Sequence, residues 1–526
     1  MSHPADRYRA ELLALERGPF PFRENGPFRV CLVYPNSYRV GMSNLGFQAV
    51  YRAINDTPGM TCERTFLPEA AQLRDLERYR LPLFSLESGR ELSDFEVVAF
   101  TLTYELDYLN VLDILRLADI PAAAAERGPE HPLILGGGAA LTANPRTMEP
   151  VFDALYLGEL ETSGPELFRR LRDGGRHDRD ALGNGLSQLW VPSSGRPPAA
   201  GYASVADLDR HFAASSIVTP RTVFADTALV ELTRGCPRHC AFCLARELYG
   251  GARNLSEQAV LQYAARMRPH VDRLGLLGAG ISDHPRLEAI AQGAEALGFG
   301  VNVSSLRFDR LTPGLLQTLR HSGQRSLTLA PESFSRPIQR FLRKGFALRQ
   351  VDEGVARVLE AGFERLKYYV MIGVPGEQPD DFEPLFEHLR RWMPRFERAG
   401  ATLELSFSIL EPKPRTELAL LTMADRADVK RTERLLRAGL PRSRRLEVQW
   451  PSFAETTLTD WLGRGDAEVG RRLLAATADL PRAGAFRLPY REYLDEMDRI
   501  LGESSHAHGS ERVVRRSLEV PAETSD

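Results

Sequence analysis

The chain has 526 residues, 43% of them hydrophobic and 26% charged, with 67 basic residues against 70 acidic ones and a formal net charge of -3. That mix is globular and can bury sizeable cores, which excludes a fully disordered chain, a fibrous repeat and a disulfide-rich secreted module. A protein whose main task is coating nucleic acid carries more positive charge, so a nucleic-acid partner is not expected.

Residues 1–25 read as a charged N-terminal helix without the apolar centre of a signal peptide. No apolar run approaches the ~20 residues that span a bilayer, so the expectation is a cytoplasmic protein with no membrane partner. Residues 26–185 alternate strand and helix patterns. Phe28–Tyr34 is an apolar strand that ends at Pro35-Asn36-Ser37, and Gly41 to Gly46 then leads into a helix. Further strands are expected at Phe95–Thr103, Pro132–Leu135 and Ala154–Leu157, the last two closed by Gly136-Gly137-Gly138 and by Gly158-Glu159. Such alternation predicts a doubly wound parallel sheet, whose ligands bind at the carboxyl ends of the strands.

Residues 186–225, rich in Pro and Ser with little periodicity, read as a connector. Residues 226–420 again alternate, with strands expected at Leu229–Leu232, Arg273–Leu277, Gly300–Val303, Ser326–Leu329, Arg365–Met371 and Thr402–Ile409. Six strands with intervening helices predict a partial (β/α)6 barrel, with its chemistry at the strand C-termini. Residues 421–501 read as a helical region. Its cluster of Arg431, Arg434, Arg437, Arg442, Arg444 and Arg445 suits a solvated face, and Trp450, Trp461 and Tyr490 suit packing. Residues 502–526 read as a disordered tail. The fold class expected overall is α/β: a doubly wound sheet, a partial barrel and a helical C-terminal region.

Three of the five cysteines crowd into Cys236-Pro-Arg-His-Cys240-Ala-Phe-Cys243, directly after a strand. In a reducing compartment such a cluster binds metal or does chemistry. Short spacings let one loop wrap one face of an iron–sulfur cluster, and three thiolates on a four-iron cube leave one iron open. The competing reading is zinc, with His239 as a fourth ligand, in a nucleic-acid-binding protein. Zinc knuckles, however, pair two separated doublets, and no second doublet exists here.

The spacing, with Phe242 before the third cysteine, resembles the radical S-adenosylmethionine (SAM) superfamily. The resemblance implies that Cys236, Cys240 and Cys243 hold a 4Fe–4S cluster whose open iron is chelated by SAM. It also implies that the reduced cluster cleaves SAM to methionine and a 5′-deoxyadenosyl radical that abstracts hydrogen from substrate. An external flavodoxin- or ferredoxin-like electron donor is implied with it. Leu277-Gly278-Ala279-Gly280 resembles the motif whose backbone meets the SAM amino group, although its usual Glu is absent. Val303-Ser304-Ser305-Leu306-Arg307 resembles the segment that meets the ribose and the carboxylate. Ala330-Pro331-Glu332-Ser333 resembles the fifth-strand motif, and Ile372-Gly373 lies in a segment similar to the adenine-packing sixth strand. Pro412-Lys413-Pro414 resembles the end of that domain. The resemblance names no catalytic residue beyond these.

The first unit resembles the cobalamin-binding-like domain that precedes many radical SAM domains. The matching residues are Asn36, Ser37, Gly46, Gly136, Gly137, Thr142, Gly158 and Glu159, which the resemblance would place along a corrin and its nucleotide loop. The chain departs from the mutase type of that domain, because no His stands between His3 and His131 to ligate cobalt. A domain that has lost cobalamin is therefore the alternative, as are a cobalamin or redox sensor and a radical SAM enzyme acting on RNA. Methylthiotransferases carry three further cluster cysteines. Here only Cys31 and Cys62 remain, and Cys31 sits in an apolar run. The leading expectation is a radical SAM enzyme, with cobalamin-dependent methylation of an unactivated carbon as its specific form.

Overall fold

The computed structural model describes residues 4–478, apart from 21, 23, 175–181 and 200. The expected tail at 502–526, the end of the 421–501 region and Tyr490 lie outside the described residues.

Helix α1 (Pro4–Leu15) precedes a unit built from β1 (Phe28–Tyr34), α2 (Leu45–Asn55), β2 (Met60–Phe66), β3 (Val97–Thr101), α3 (Asp107–Leu117), β4 (Leu133–Gly137), β5 (Ala154–Tyr156), α4 (Leu160–Arg172) and β6 (Leu189–Trp190). The strands form one sheet in the order β2-β1-β3-β4-β5-β6. All neighbours are parallel except β5 and β6. The chain leaves β1 for β2 on one side and reaches β3 on the other, which opens a crevice at the carboxyl edge. Asn44 caps α2 there by accepting the Phe47 N–H.

Two details differ from the sequence expectation. Strand β2 was not expected, because Glu63 and Arg64 break its apolar pattern. Both are buried, with Arg64 bonded to Glu87 at 2.6 Å and to Glu16 at 2.8 Å. Strand β6 lies inside the stretch expected as a connector and closes the sheet edge.

The second unit runs β7 (Thr227–Arg234), α5 (Leu244–Tyr249), β8 (Arg253–Asn254), α6 (Glu257–Met267), β9 (Arg273–Gly278), α7 (Leu287–Ala296), β10 (Gly300–Val303), α8 (Pro313–His321), β11 (Ser326–Glu332), α9 (Leu348–Glu360), β12 (Arg365–Ile372), α10 (Glu383–Ala399) and β13 (Thr402–Ile409). Ser256 caps α6 and Thr312 caps α8, the latter followed by Pro313, whose ring suits the first helical turn. Two four-stranded sheets result, β10-β9-β7-β8 and β11-β12-β13-β14, the last strand being Leu446–Gln449. An isolated parallel bridge, Leu306 to Leu329, joins them into an open half-barrel with its helices outside.

The last stretch holds α11 (Arg426–Gly439), β14 (Leu446–Gln449), α12 (Phe453–Arg464) and α13 (Ala467–Ala478). It is not purely helical: β14 adds a parallel strand to β13. Trp450, just beyond it, stacks on Phe407 at 4.9 Å. Helices α12 and α13 return to the first unit, where Leu458, Leu462 and Leu473 enter the core beneath its sheet. Asn144 donates to the Gly463 and Gly465 carbonyls at 3.0 and 2.7 Å, tying that return down. No helix among the described residues is long and apolar enough to cross a membrane.

Candidate active site between the two sheets

The cysteine loop leaves the carboxyl end of β7. Gly235 turns it with φ +74°, and a Cβ there would lie 2.5 Å from the Gly251 carbonyl oxygen, so only glycine fits. Loop and barrel are stitched by Cys236 N–H to Gly250 O (3.2 Å) and Ala241 N–H to Leu342 O (3.0 Å). All three thiols are half-buried. Burial raises Cys240 and Cys243, the neighbouring thiols add to the rise, and Lys344 pulls both down. Among the described residues, no three His, Cys, Asp or Glu side chains are arranged to hold a single metal ion, and His239 is exposed.

The expected SAM residues share one strand edge with that loop. Gly278, Glu332 and Ile372 are the last residues of β9, β11 and β12. Gly280 lies against the loop, where a Cβ would stand 3.1 Å from Pro237 and 3.7 Å from the Cys236 Cα. Ala279 lines the large cavity described below. Ser304 donates its N–H to Leu276 O at 3.4 Å, and Ser305 follows it at the end of β10. The Arg307 guanidinium is turned to Asp309 (2.9 Å), not left free, while its backbone N–H reaches Ser282 Oγ. Glu332, with φ +61°, pairs with Lys344 at 2.8 Å. The Lys344 ammonium also sits 5.8 Å from the Phe242 ring centre. Gly373 donates to Glu377 at 2.9 Å.

A cavity of about 780 Å³ separates the two carboxyl edges. Gly46, Gly136, Gly137, Thr142, Gly158 and Glu159 line one wall. Arg234, Gly235, Tyr249, Gly278 and Ala279 line the other. The lining is predominantly apolar, and glycines leave the strand ends bare of side chains. Asn36 and Ser37 are not in the wall: the Asn36 amide donates to Asp107 at 2.9 Å and its oxygen accepts the Ser37 N–H. Glu159 binds Arg253 at 2.6 Å and Arg234 at 3.1 Å. Burial raises its pKa, but the hydrogen bonds from Arg253 and Val205, with the two positive charges, outweigh that and hold the carboxyl below its usual range. Its role in the structure is to join the two units beside the cysteine loop.

Sequence reasoning missed two features. His211, in the connector, lines the barrel side of the cavity. A charged junction also forms where Glu105, Lys413 and α12 meet. Lys413 Nζ lies 2.8 Å from Glu105 and also contacts Glu411, and Asp460 binds Arg464 at 2.6 Å. The available signal was Pro412-Lys413-Pro414, a rigid, charged stretch directly after a strand.

Residues 46–190 match the family of radical SAM protein N-terminal domains, and residues 230–389 match the radical SAM superfamily domain. An uncharacterized protein of Methanocaldococcus jannaschii is 24% identical over 451 residues, covering 84% of this chain and 90% of that one. Among solved structures, the radical SAM methyltransferase TsrM from Kitasatospora setae is similar with a TM-score of 0.52 at 14% identity, covering 75% of each chain. The cobalamin-dependent SAM radical enzyme OxsB, with aqua-cobalamin and SAM bound, is similar with a TM-score of 0.52 at 13% identity, covering 86% of this chain and 67% of that one. At these identities the likeness is one of fold.

Proposed function

We propose, from the premise that this chain is a radical SAM enzyme, that Cys236, Cys240 and Cys243 hold a 4Fe–4S cluster, that SAM lies along the adjoining strand edge, and that cobalamin occupies the cavity between the sheets to methylate an unactivated carbon. The observation that carries this reading is the cavity itself. It runs from the face of the first sheet beneath α2 and α4, past that sheet's carboxyl edge, to the ends of β7 and β9, where Gly235, the residue before the first cysteine, stands in its wall. When bound, cluster and SAM supply a carbon radical at the substrate, and cobalamin supplies the methyl group.

The chain's own residues position and shield. Three thiolates leave one iron of a four-iron cube without a protein ligand. Bare backbone at Gly278 and Gly280 lets a ligand approach the strand ends closely. Arg307, moved off Asp309, would meet a SAM carboxylate with its planar fork. The first unit covers the barrel mouth and excludes water from it. An external flavodoxin- or ferredoxin-like protein would deliver the electron.

The test is elemental analysis of protein purified anaerobically from cobalamin-fed cells, followed by 5′-deoxyadenosine assay of Cys240→Ala. The expected result is about four irons and one cobalt per chain, no zinc, and complete loss of 5′-deoxyadenosine in the variant. Zinc at about one per chain without iron would overturn the cluster assignment. Iron without cobalt would remove cobalamin from it.

A further inference from the structure

The cysteine loop is flanked by a short helix, Arg336–Phe341, that follows β11. Ser335 caps this helix by accepting the Ile338 N–H, and its end is tied to the loop by Ala241 N–H to Leu342 O at 3.0 Å. Ile338 on its inner side and Leu342 at its end share a small core with Ala241 of the loop and with Leu418. The helix therefore packs directly on the cysteine loop. Lys344, just beyond it, is close enough to act on Cys240 and Cys243.

The outer face of the helix is positive. Arg336 and Arg340 are exposed and have no ion-pair partner among the described residues. Asp381, bonded to the capping Ser335, gives its other oxygen to the Gln378 N–H and takes neither arginine. Arg343 is exposed too and pairs with Glu417. It stands at φ +52° just past the helix, and Lys344 N–H bonds back to Gln339 O at 3.1 Å. Glycine takes that left-handed position without steric cost. An arginine there costs folding energy and presents a cation instead.

Beside these cations stands an apolar knob. Leu420 is 92% exposed, whereas Val223, the next most exposed large apolar residue described, is 48% exposed. The backbone around it is fixed: Leu421 N–H bonds Leu418 O at 2.9 Å, and Arg464 holds the Leu421 carbonyl at 2.8 Å. Leu418 is buried in the small core under the helix and Glu417 meets Arg343, so Leu420 is carried on the loop that borders the helix. A single exposed leucine needs no explanation. One held rigidly beside unpaired arginines has the make-up of an interface, an apolar centre with a charged rim.

We propose that this face docks the electron donor of the cluster, and that the donor is a small acidic protein carrying a flavin. Charge complementarity selects an acidic partner, steers its approach and orients it. The dimethylbenzene edge of a flavin is apolar and matches Leu420. From there the flavin gives one electron to the cluster held by the three cysteines: the flavin is oxidised, the cluster is reduced, and no bond is made or broken. The complex is expected to be weak and short-lived, as electron-transfer encounters are.

The proposal rests on the radical SAM reading for the cluster, so docking is measured without turnover. Anaerobically reconstituted full-length protein is titrated into a fluorescently labelled flavodoxin at about 50 and about 300 mM salt. Binding is expected at the lower salt and should be several-fold weaker at the higher. Arg336→Glu combined with Arg340→Glu is expected to weaken it at least about ten-fold. Leu420→Ala should weaken it several-fold without changing any charge. Arg398→Glu, exposed in the last turn of α10 near the amino edge of the barrel, should bind as wild type. Absence of binding, binding that ignores salt, normal binding by both face variants, or a ferredoxin binding as tightly as the flavodoxin would overturn the proposal. Formation of 5′-deoxyadenosine with dithionite, which needs no protein donor, tests the radical SAM reading by itself, so the two failures are distinguishable.

Discussion

At the scale of single residues, burial separates the five cysteines into two kinds. Cys31 and Cys62 have no exposed surface, and burial pushes both thiols well up. A thiolate is the reactive form. Iodoacetamide on the reduced, cluster-free native protein is therefore expected to label Cys236, Cys240 and Cys243 and to spare the other two, read by peptide mass spectrometry. Glu377 gives a pH signature. Burial raises it to about 8, outweighing the hydrogen bonds from the Gly373 and Val374 backbone. A carboxyl raised on folding lends its stability below its unfolded value and loses it as pH rises through the folded one. Glu377→Gln should thus flatten the fall in Tm between about pH 5 and pH 8 relative to wild type. The cysteine spacing was legible because it lies within eight residues of chain. The Asp309 partner of Arg307 and the arginines on Glu159 were not, because a pairing choice depends on which side chains are within reach.

At the scale of elements, all six barrel strands stood out as apolar runs followed by turns. Strand β2 did not, since Arg64 is neutralised by Glu16 and Glu87 and Glu63 by Arg29, all from other parts of the chain. Strand β14 did not either, because Leu446–Gln449 is too short and too polar to be recognised before β13 offers it an edge. The contact of β7 with β9 makes a specific prediction. A Cβ on Gly278 would lie 2.9 Å from the Thr233 carbonyl oxygen, which is backbone and cannot swing away. Gly278→Ala should cost roughly 1–3 kcal/mol, seen as a lowered urea midpoint with an unchanged slope.

At the scale of the molecule, two ion-pair clamps hold the sheets edge to edge. One is Glu159 with Arg234 and Arg253, beside the cysteine loop. The other is Glu105 with Lys413, beside α12. Removing one partner of a buried pair leaves the other charge stranded, at about 3–5 kcal/mol. Glu159→Gln should therefore strand Arg253, while Arg234 keeps Glu161 and Glu231, and lower the urea midpoint followed by circular dichroism and tryptophan fluorescence. The amino-acid sequence by itself determined the α/β class and the strand–helix alternation, which rest on local periodicity, and its cysteine spacing carried the resemblance to the radical SAM superfamily. Only the tertiary structure decided that α12 and α13 fold back under the first sheet, that Glu159 is a clamp, and that Glu105, Glu411, Lys413 and Asp460 meet. Glu159 lies 75 positions from Arg234, Glu105 308 from Lys413 and Asn144 319 from Gly463, and nothing local in either partner encodes the other.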